Sequence, residues 1–404
     1  MTLEQTAFLG ILSDFVRGIP SVKFSKELDW DVLLEMAKKH NLKGIIYIQC
    51  KEYLTDHPEY SSYLKNLRHG FVSEVCLYAC RTQDLKEVEK SFTENNIPFL
   101  VMKGLVFAGY YPDPHLRTMG DTDILIHVED REKSHQVMIE EGYIYDSMSC
   151  GAVWNYDRDL THYELHDHMI YDSLANEVDY ETYFSRAWDY AKPIDGSTKC
   201  ELDETFHFVY LIAHTAKHIL NRGSGFRPFL DMAFMIQKAG KRLDWKWIEK
   251  QLHELRLEEF LDICLALCNR WFGVKLPLRI KKMDEAFYQE VTEKVFIDGI
   301  FGFANSENEI AGFAKKVHRE QLPYWMTSVK MTFRLLFPSY NSMRLTPYYN
   351  FVDGKPYLLP IAWLYRFIYC AYHKFGESIS KLANPYLKRK KIKERDENIT
   401  KLGL

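Results

Sequence analysis

Residues 99–126 read FLVMKGLVFAGYYPDPHLRTMGDTDILI. Pro98 to Met102 is a short apolar run of strand length, and Lys103-Gly104 marks a tight turn after it. Leu105 to Tyr111 has a helical pattern, and Pro112-Asp113-Pro114 stops it. A loop carrying Arg117 then leads to Gly120 and a second apolar strand, Asp121 to His127. Side chains alternate along a strand, so Asp121 and Asp123 share one face and Thr122 points to the other. Two carboxylates one strand repeat apart can grip a hard divalent cation or share two.

On either side of this stretch the periodicity changes. Residues 1–95 read as helices, and a three/four spacing runs from Leu64 through Leu67, Phe71, Val75, Tyr78, Leu85 and Val88 to Phe92. That spacing predicts one long helix, or two joined end to end, closed at Asn95-Asn96. Residues 96–195 are mixed. A helix is expected over Glu129–Glu141 and a short strand over Tyr143–Tyr145. Thr161–Tyr171 alternates, with His162, Glu164, His166 and His168 on one face, and reads first as a polar strand face and second as a substrate surface. Glu177–Phe184 reads as a further strand, with Glu177, Asp179 and Glu181 in phase. Residues 196–320 return to helix, over Phe206–Leu220, Arg227–Ala239, Trp245–Leu255, Leu257–Trp271 and Phe287–Phe301. Residues 321–404 form an aromatic and basic region with a tail, Tyr386–Leu404. The expectation is an α+β fold in which a small mixed β-sheet core lies between helical regions.

Composition narrows the function classes. The chain has 404 residues, 47% of them hydrophobic and 27% charged, which describes a folded globular protein. A formal net charge of −4 argues against a duplex-DNA binder. None of the eight cysteines forms a CxxC pair, so they read as buried thiols suited to a reducing cytoplasm. The first residues lack the basic region of a signal peptide. The longest apolar stretch, Tyr357–Tyr372, is broken by Pro360 and Arg366 and reads as a core or interfacial helix. The basic run in the tail (Lys388, Arg389, Lys390, Lys391, Lys393 and Arg395) reads as a solvated face, with contact to anionic lipid or polymer as the alternative.

Phosphoryl or nucleotidyl transfer needs a third carboxylate beside the first two, on an adjacent strand and the same face. Asp179 is the first candidate and Glu164 the second. The strand–Gly–helix junction at Gly104 would let a phosphate approach backbone N–H groups, with Lys103 and Arg117 as cations. Tyr110 and Tyr111 could stack on a base or simply pack the helix end. His207, His214 and His218 fall on one helical stripe. Packing, or contact with nucleotide or acceptor, is the leading reading there, because the glutamate of a zinc HExxH motif is missing.

The order Lys103-Gly104, Tyr110-Tyr111-Pro112, Arg117 and Gly120-Asp121-Thr122-Asp123-Ile124-Leu125-Ile126 resembles the polymerase-β-type nucleotidyltransferase superfamily. More closely, it is similar to a bacterial family of uncharacterised nucleotidyltransferases. Val178-Asp179-Tyr180 resembles that family's later acidic strand, and His214, His218 and Asp231 resemble its helical His-x-x-x-His and following Asp. The resemblance covers roughly residues 30–270. Lys103-Gly104 stands where the superfamily usually has Gly-Ser or Gly-Gly, and Glu181 lies where the family often has a His.

The resemblance implies transfer of NMP from an NTP to an unknown acceptor, with release of pyrophosphate. It implies Mg²⁺ (or Mn²⁺) on Asp121, Asp123 and Asp179, and ATP as the expected nucleotide, touched by Lys103, Gly104, Arg117 and Tyr111. His214, His218 and Asp231 are candidate substrate contacts. The rival readings are a non-catalytic nucleotide-binding module on the same fold and a different phosphoryl-transfer enzyme. Contact of the C-terminal region with a membrane surface is a further expectation.

Overall fold

Helix α1 (Leu3–Arg17) begins in a capping box between Thr2 and Gln5 and ends at Gly18, which takes the left-handed conformation (φ 68°) that closes a helix without a Cβ clash. A computed structural model of the chain describes residues 1–404 apart from 22, 150–152, 171–173, 175, 300–304, 341–342, 344–346, 353 and 374–388. Cys150, Tyr171, Phe301 and Tyr386 to Lys388 therefore lie outside the described residues. Helices α2 (Trp30–Lys39) and α3 (Lys43–Asp56) follow, then α4 (Ser61–Glu94), a single helix of 34 residues. Its buried positions Arg81, Leu85, Val88 and Phe92 repeat every three or four residues, so one stripe faces the sheet.

Among the described residues that sheet has seven strands, in the spatial order β3-β4-β5-β2-β1-β7-β6. In chain order they are β1 (Phe99–Met102), β2 (Thr122–Ile126), β3 (Ile144–Ser149), β4 (Val153–Arg158), β5 (Thr161–His166), β6 (Ala191–Pro193) and β7 (Lys199–Leu202). Helix α5 (Gly104–Ala108) sits between β1 and β2, α6 (Arg131–Glu140) follows β2, and α7 (Tyr180–Ser185) follows β5. β1 runs antiparallel to β2, whereas β2 and β5 are parallel and so are β1 and β7. The sheet is therefore mixed, as expected for the α+β class.

The two faces of the sheet differ in chemistry. Phe99, Val101, Ile124, Ile126, Tyr156, Tyr163 and Leu165 form one face and pack with Leu85, Val88 and Phe92 of α4 and with Val137 and Met138 of α6. Thr122 is registered against Tyr163 and belongs to this face. The opposite parity puts Met102, Asp123, Leu125, Glu164 and His166 together on the other face. The apolar face fixes the register, because a slip of one residue would turn the carboxylates into the apolar layer and its core residues out of it.

The remaining helices of this unit are α8 (Glu204–Asn221), α9 (Arg227–Ala239), α10 (Trp245–Glu254), α11 (Glu258–Phe272) and α12 (Glu285–Asp298). Asp203 caps α8 by accepting from the Thr205 and Phe206 amides, at 2.9 and 3.2 Å. Met1–Leu174 and Val178–Gly302 belong to one compact unit, together with Gly403–Leu404. The second unit comprises Ala175–Glu177 and Phe303–Leu402. It contains α13 (Asn305–Glu320), α14 (Tyr324–Leu336) and two further helices over Leu359–His373 and Arg389–Lys401. The finer division at residues 95, 195 and 320 is a proposal from the sequence.

One strand expectation is corrected. Glu177–Phe184 is not a strand, because Asp179 caps the short helix α7. Its carboxylate accepts from the Thr182 amide (3.0 Å) and from the Thr182 hydroxyl (2.7 Å). An Asp three residues before a hydroxyl residue offers the backbone a helix start, and that local bond prevailed over the alternating charges. Strand β3 is longer than expected, and β4, β6 and β7 had no clear alternating signal.

Candidate active site

The carboxylate cluster arises from strand register. Asp123 on β2 lies opposite Glu164 on its parallel neighbour β5, and Leu125 lies opposite His166. Glu164 and His166 are two residues apart and so share the face of Asp123. His166 Nε2 donates to Asp123 Oδ1 at 2.9 Å and lies 3.3 Å from Glu164 Oε2. One ligand atom from each of Asp123, Glu164 and His166 falls within 4.8 Å of the others. Two carboxylates and an imidazole on rigid strands suit a divalent cation, which would take the place of the Nε2 proton. Asp121 precedes β2 on the same face and keeps partial solvent access.

Lys103 enters this cluster from the turn after β1. Its backbone has φ 48° and ψ −110°, a region that a residue with a Cβ rarely occupies. The side chain reaches back across β2, and Nζ lies 2.5 Å from Asp123 Oδ1. Asp123 is buried, so the pair is desolvated and held in one geometry.

Charge in the cluster is strongly coupled. Burial works against the Lys103 ammonium, but the Asp123 carboxylate outweighs it and holds the amine above its ordinary range. Burial likewise opposes the Asp123 charge, and Lys103 with the His166 hydrogen bond pushes that carboxyl well below the usual range. Asp121 moves the other way, raised by burial and by the nearby Asp123 charge. Glu164 is lowered, chiefly by its hydrogen bond to His166. The site thus holds one firmly ionised carboxylate beside one that ionises reluctantly.

The other residues singled out in the sequence have separate roles. Asp179 is exposed and committed to the α7 cap, so Glu164 rather than Asp179 stands beside Asp123. Arg117, Tyr111 and Asp231 form a buried clamp. Arg117 Nε and Nη2 donate to the two Asp231 carboxylate oxygens at 3.1 and 2.8 Å, and the Tyr111 hydroxyl donates to Oδ1 at 2.8 Å. This ties the loop before Asp121 to α9, and turns Arg117 toward Asp231 and Tyr111 into the core. Gly104 is buried, and an added Cβ would lie 3.2 Å from Met119 Sδ and 3.3 Å from Arg117 Nη1. Its missing side chain leaves room for Met119 and Arg117.

His214 and His218 lie one turn apart on α8, with their Nε2 atoms 2.8 Å from each other. Burial and the Lys103 charge lower both, His218 to about 3, so both rings are neutral at neutral pH. By surface exposure His218 is exposed and His214 half-buried.

Several neighbours of the cluster were not found by pattern reading. Arg81 of α4 donates to the Met119 and Gly120 carbonyls at 2.6 and 3.2 Å and braces the turn before Asp121. Arg227, at the start of α9, donates to the Thr118 carbonyl at 3.1 Å and lowers Asp121 through its charge. Tyr210 of α8 lies beside the Lys103 ammonium. Arg81 sat within an ordinary helical stripe, and no spacing rule pairs Arg227 or Tyr210 with a strand about a hundred residues earlier. His166 carried a usable signal, since Glu164-x-His166 on one strand face is a ligand spacing.

A small mixed sheet that presents neighbouring acidic residues on one strand pair, next to a strand–turn–helix junction, is consistent with a nucleotidyltransferase fold. The family model for uncharacterised nucleotidyltransferases matches residues 26–273, and the chain belongs to that family. No curated protein and no solved structure matches the chain.

Proposed function

We propose that this protein transfers the NMP moiety of an NTP, with ATP as the expected nucleotide, to an acceptor hydroxyl or similar nucleophile and releases pyrophosphate. The observation that carries this reading is the registered Asp123–Glu164–His166 cluster, flanked by Asp121, in a chain of this family. These residues would hold Mg²⁺ or Mn²⁺. Once bound, the cation would neutralise triphosphate charge and polarise the α-phosphate. Lys103 keeps a fixed positive charge on the same face, and Arg227 adds one near Asp121. Both favour a triphosphate over a neutral ligand. Asp121, reluctant to ionise and only half-buried, is the carboxylate suited to take the acceptor's proton. His218 and His214 would offer neutral imidazoles to the ligand. We place the protein in the cytoplasm because its described cysteines are free thiols.

The test is transfer of label from α-³²P-ATP, with divalent cation, to protein or small-molecule acceptors from a cell extract. Asp123→Asn and Glu164→Gln should each abolish it, and Asp179→Asn should not. Full transfer by the first two variants would end the proposal.

A second reading has its own support. The Lys103 ammonium already sits on one oxygen of Asp123, where a cation would otherwise bind. A non-catalytic nucleotide-binding module would look the same. Calorimetric titration with ATP separates the two: binding that ignores EDTA, with no pyrophosphate formed, supports the module.

A further inference from the structure

Helix α14 has its polarity reversed. Thr327 and Ser328 are fully buried, whereas Trp325 and Phe333 are 66% and 61% exposed and Val329, between them, is exposed as well. Trp325, Val329 and Phe333 are spaced four apart and form one stripe. A helix packed for water would turn that stripe inward and the two hydroxyl residues outward.

The Leu359–His373 helix also carries an outward apolar stripe. Trp363 and Phe367 face inward, their rings 5.2 and 5.8 Å from Phe337, and Trp363 Nε1 donates to the Pro338 carbonyl at 2.9 Å. Ile361, Leu364, Ile368 and Tyr372 face outward, with Leu364 61% and Tyr372 83% exposed. Contiguous apolar stripes of this length are not ordinary scattered surface residues.

The charge around the stripes is one-sided. Neither helix contains an Asp or Glu, while together they carry Lys330, Arg334 and Arg366. On the α14 side, Lys316, Lys330 and Arg334 share the single carboxylate of Glu320, at 3.9, 3.1 and 4.0 Å. Three cations around one anion leave an excess positive charge next to the Trp325–Phe333 stripe. No described helix is long and apolar enough to cross a membrane. Apolar stripes with Trp and Tyr at their ends and cations beside them match the boundary between lipid headgroups and acyl chains.

We infer that α14 and the Leu359–His373 helix dock the protein on the surface of an anionic lipid bilayer, with their outward apolar stripes in the headgroup–acyl boundary and Lys330 and Arg334 on lipid phosphates. This inference is independent of the chemistry proposed above.

Flotation of the full chain on vesicles of phosphatidylcholine, with and without phosphatidylglycerol, tests it. The chain should float with the phosphatidylglycerol vesicles and less on phosphatidylcholine alone. Trp325→Ser with Phe333→Ser should lower partitioning about tenfold or more. Lys330→Gln with Arg334→Gln should lower it about thirtyfold on the anionic vesicles and little on the neutral ones. The substituted side chains are exposed, so an unchanged circular dichroism spectrum is expected. Ile361→Ser with Leu364→Ser gives a second, separate lesion with the same expected loss. Absence of flotation overturns the inference, as does flotation untouched by both apolar variants. A dimer that Trp325→Ser with Phe333→Ser dissociates, in a chain that ignores vesicles, assigns the face to a second copy and also overturns it.

Discussion

Replacing Lys103 with Met removes the ammonium in contact with Asp123 and keeps a side chain of similar length. Asp123 is 2% exposed, so its charge would then lean on the His166 hydrogen bond, with the Asp121 and Glu164 carboxylates close by. Breaking a buried ion pair from one side costs about 3–5 kcal/mol. The backbone at Lys103 (φ 48°, ψ −110°) adds a second contribution that glycine avoids and methionine does not. Residues in such regions carry about 1–3 kcal/mol of strain. Lys103→Gly should therefore lose only about 1–3 kcal/mol, because relief of strain offsets part of the lost pair.

For a unit of this size, each kcal/mol moves the melting temperature by about 2 °C, so Lys103→Met should melt roughly 6–10 °C below the wild type and Lys103→Gly roughly 2–6 °C below. A divalent cation can take over the neutralising role, and saturating Mn²⁺ at a hundred times its dissociation constant would return about 2.7 kcal/mol. Thermal melts followed by tryptophan fluorescence, in EDTA and in MnCl₂, measure all of this. Mn²⁺ should raise the melting temperature of Lys103→Met more than that of the wild type. The reasoning fails if Lys103→Met melts with the wild type in EDTA, or if Mn²⁺ stabilises both equally.

Other substitutions separate architecture from chemistry. Asp231→Ala leaves the buried Arg117 guanidinium and the Tyr111 hydroxyl without their shared acceptor and should cost about 3–5 kcal/mol in urea denaturation, whereas Tyr111→Phe should cost about 1 kcal/mol. Asp121→Asn should raise the melting temperature at neutral pH yet abolish transfer, because the folded state raises the Asp121 pKa and so disfavours the charged form that the substitution removes. Asp123 has the opposite sign. Its carboxyl is depressed on folding, so its contribution is present above the ordinary carboxylate range and is lost as pH falls below it, which acid titration of stability should show for the wild type and not for Asp123→Asn. Asp179→Ala removes only a helix cap and should leave transfer intact with a small loss of stability, read by paired activity and melting assays.

Much of the site region was legible because its signals are local. The strand–turn–helix–loop–strand order of residues 99–126 is written in short apolar runs, Lys103-Gly104 and Pro112-Asp113-Pro114, each of which acts within a few residues. The shared face of Asp121 and Asp123 follows from the two-residue repeat of a strand. The long α4 stripe was equally plain, since its spacing persists over many turns. Asp179 misled because its alternating acidic neighbours imitate a strand, while the deciding bond, from the Thr182 amide to its own carboxylate, leaves no mark on periodicity.

The sequence by itself determined the α+β class, the carboxylate pair and the resemblance to its family, since these depend on composition, spacing and turn chemistry. Tertiary structure alone decided which third group joins the pair, because that depends on β5 lying parallel to β2 in a register that sets Glu164 opposite Asp123. It also decided what the cations face: Lys103 turns onto Asp123, and Arg117 onto Asp231. Both pairings join residues far apart in the chain, and charges in a desolvated interior take whichever partner the packing brings within reach.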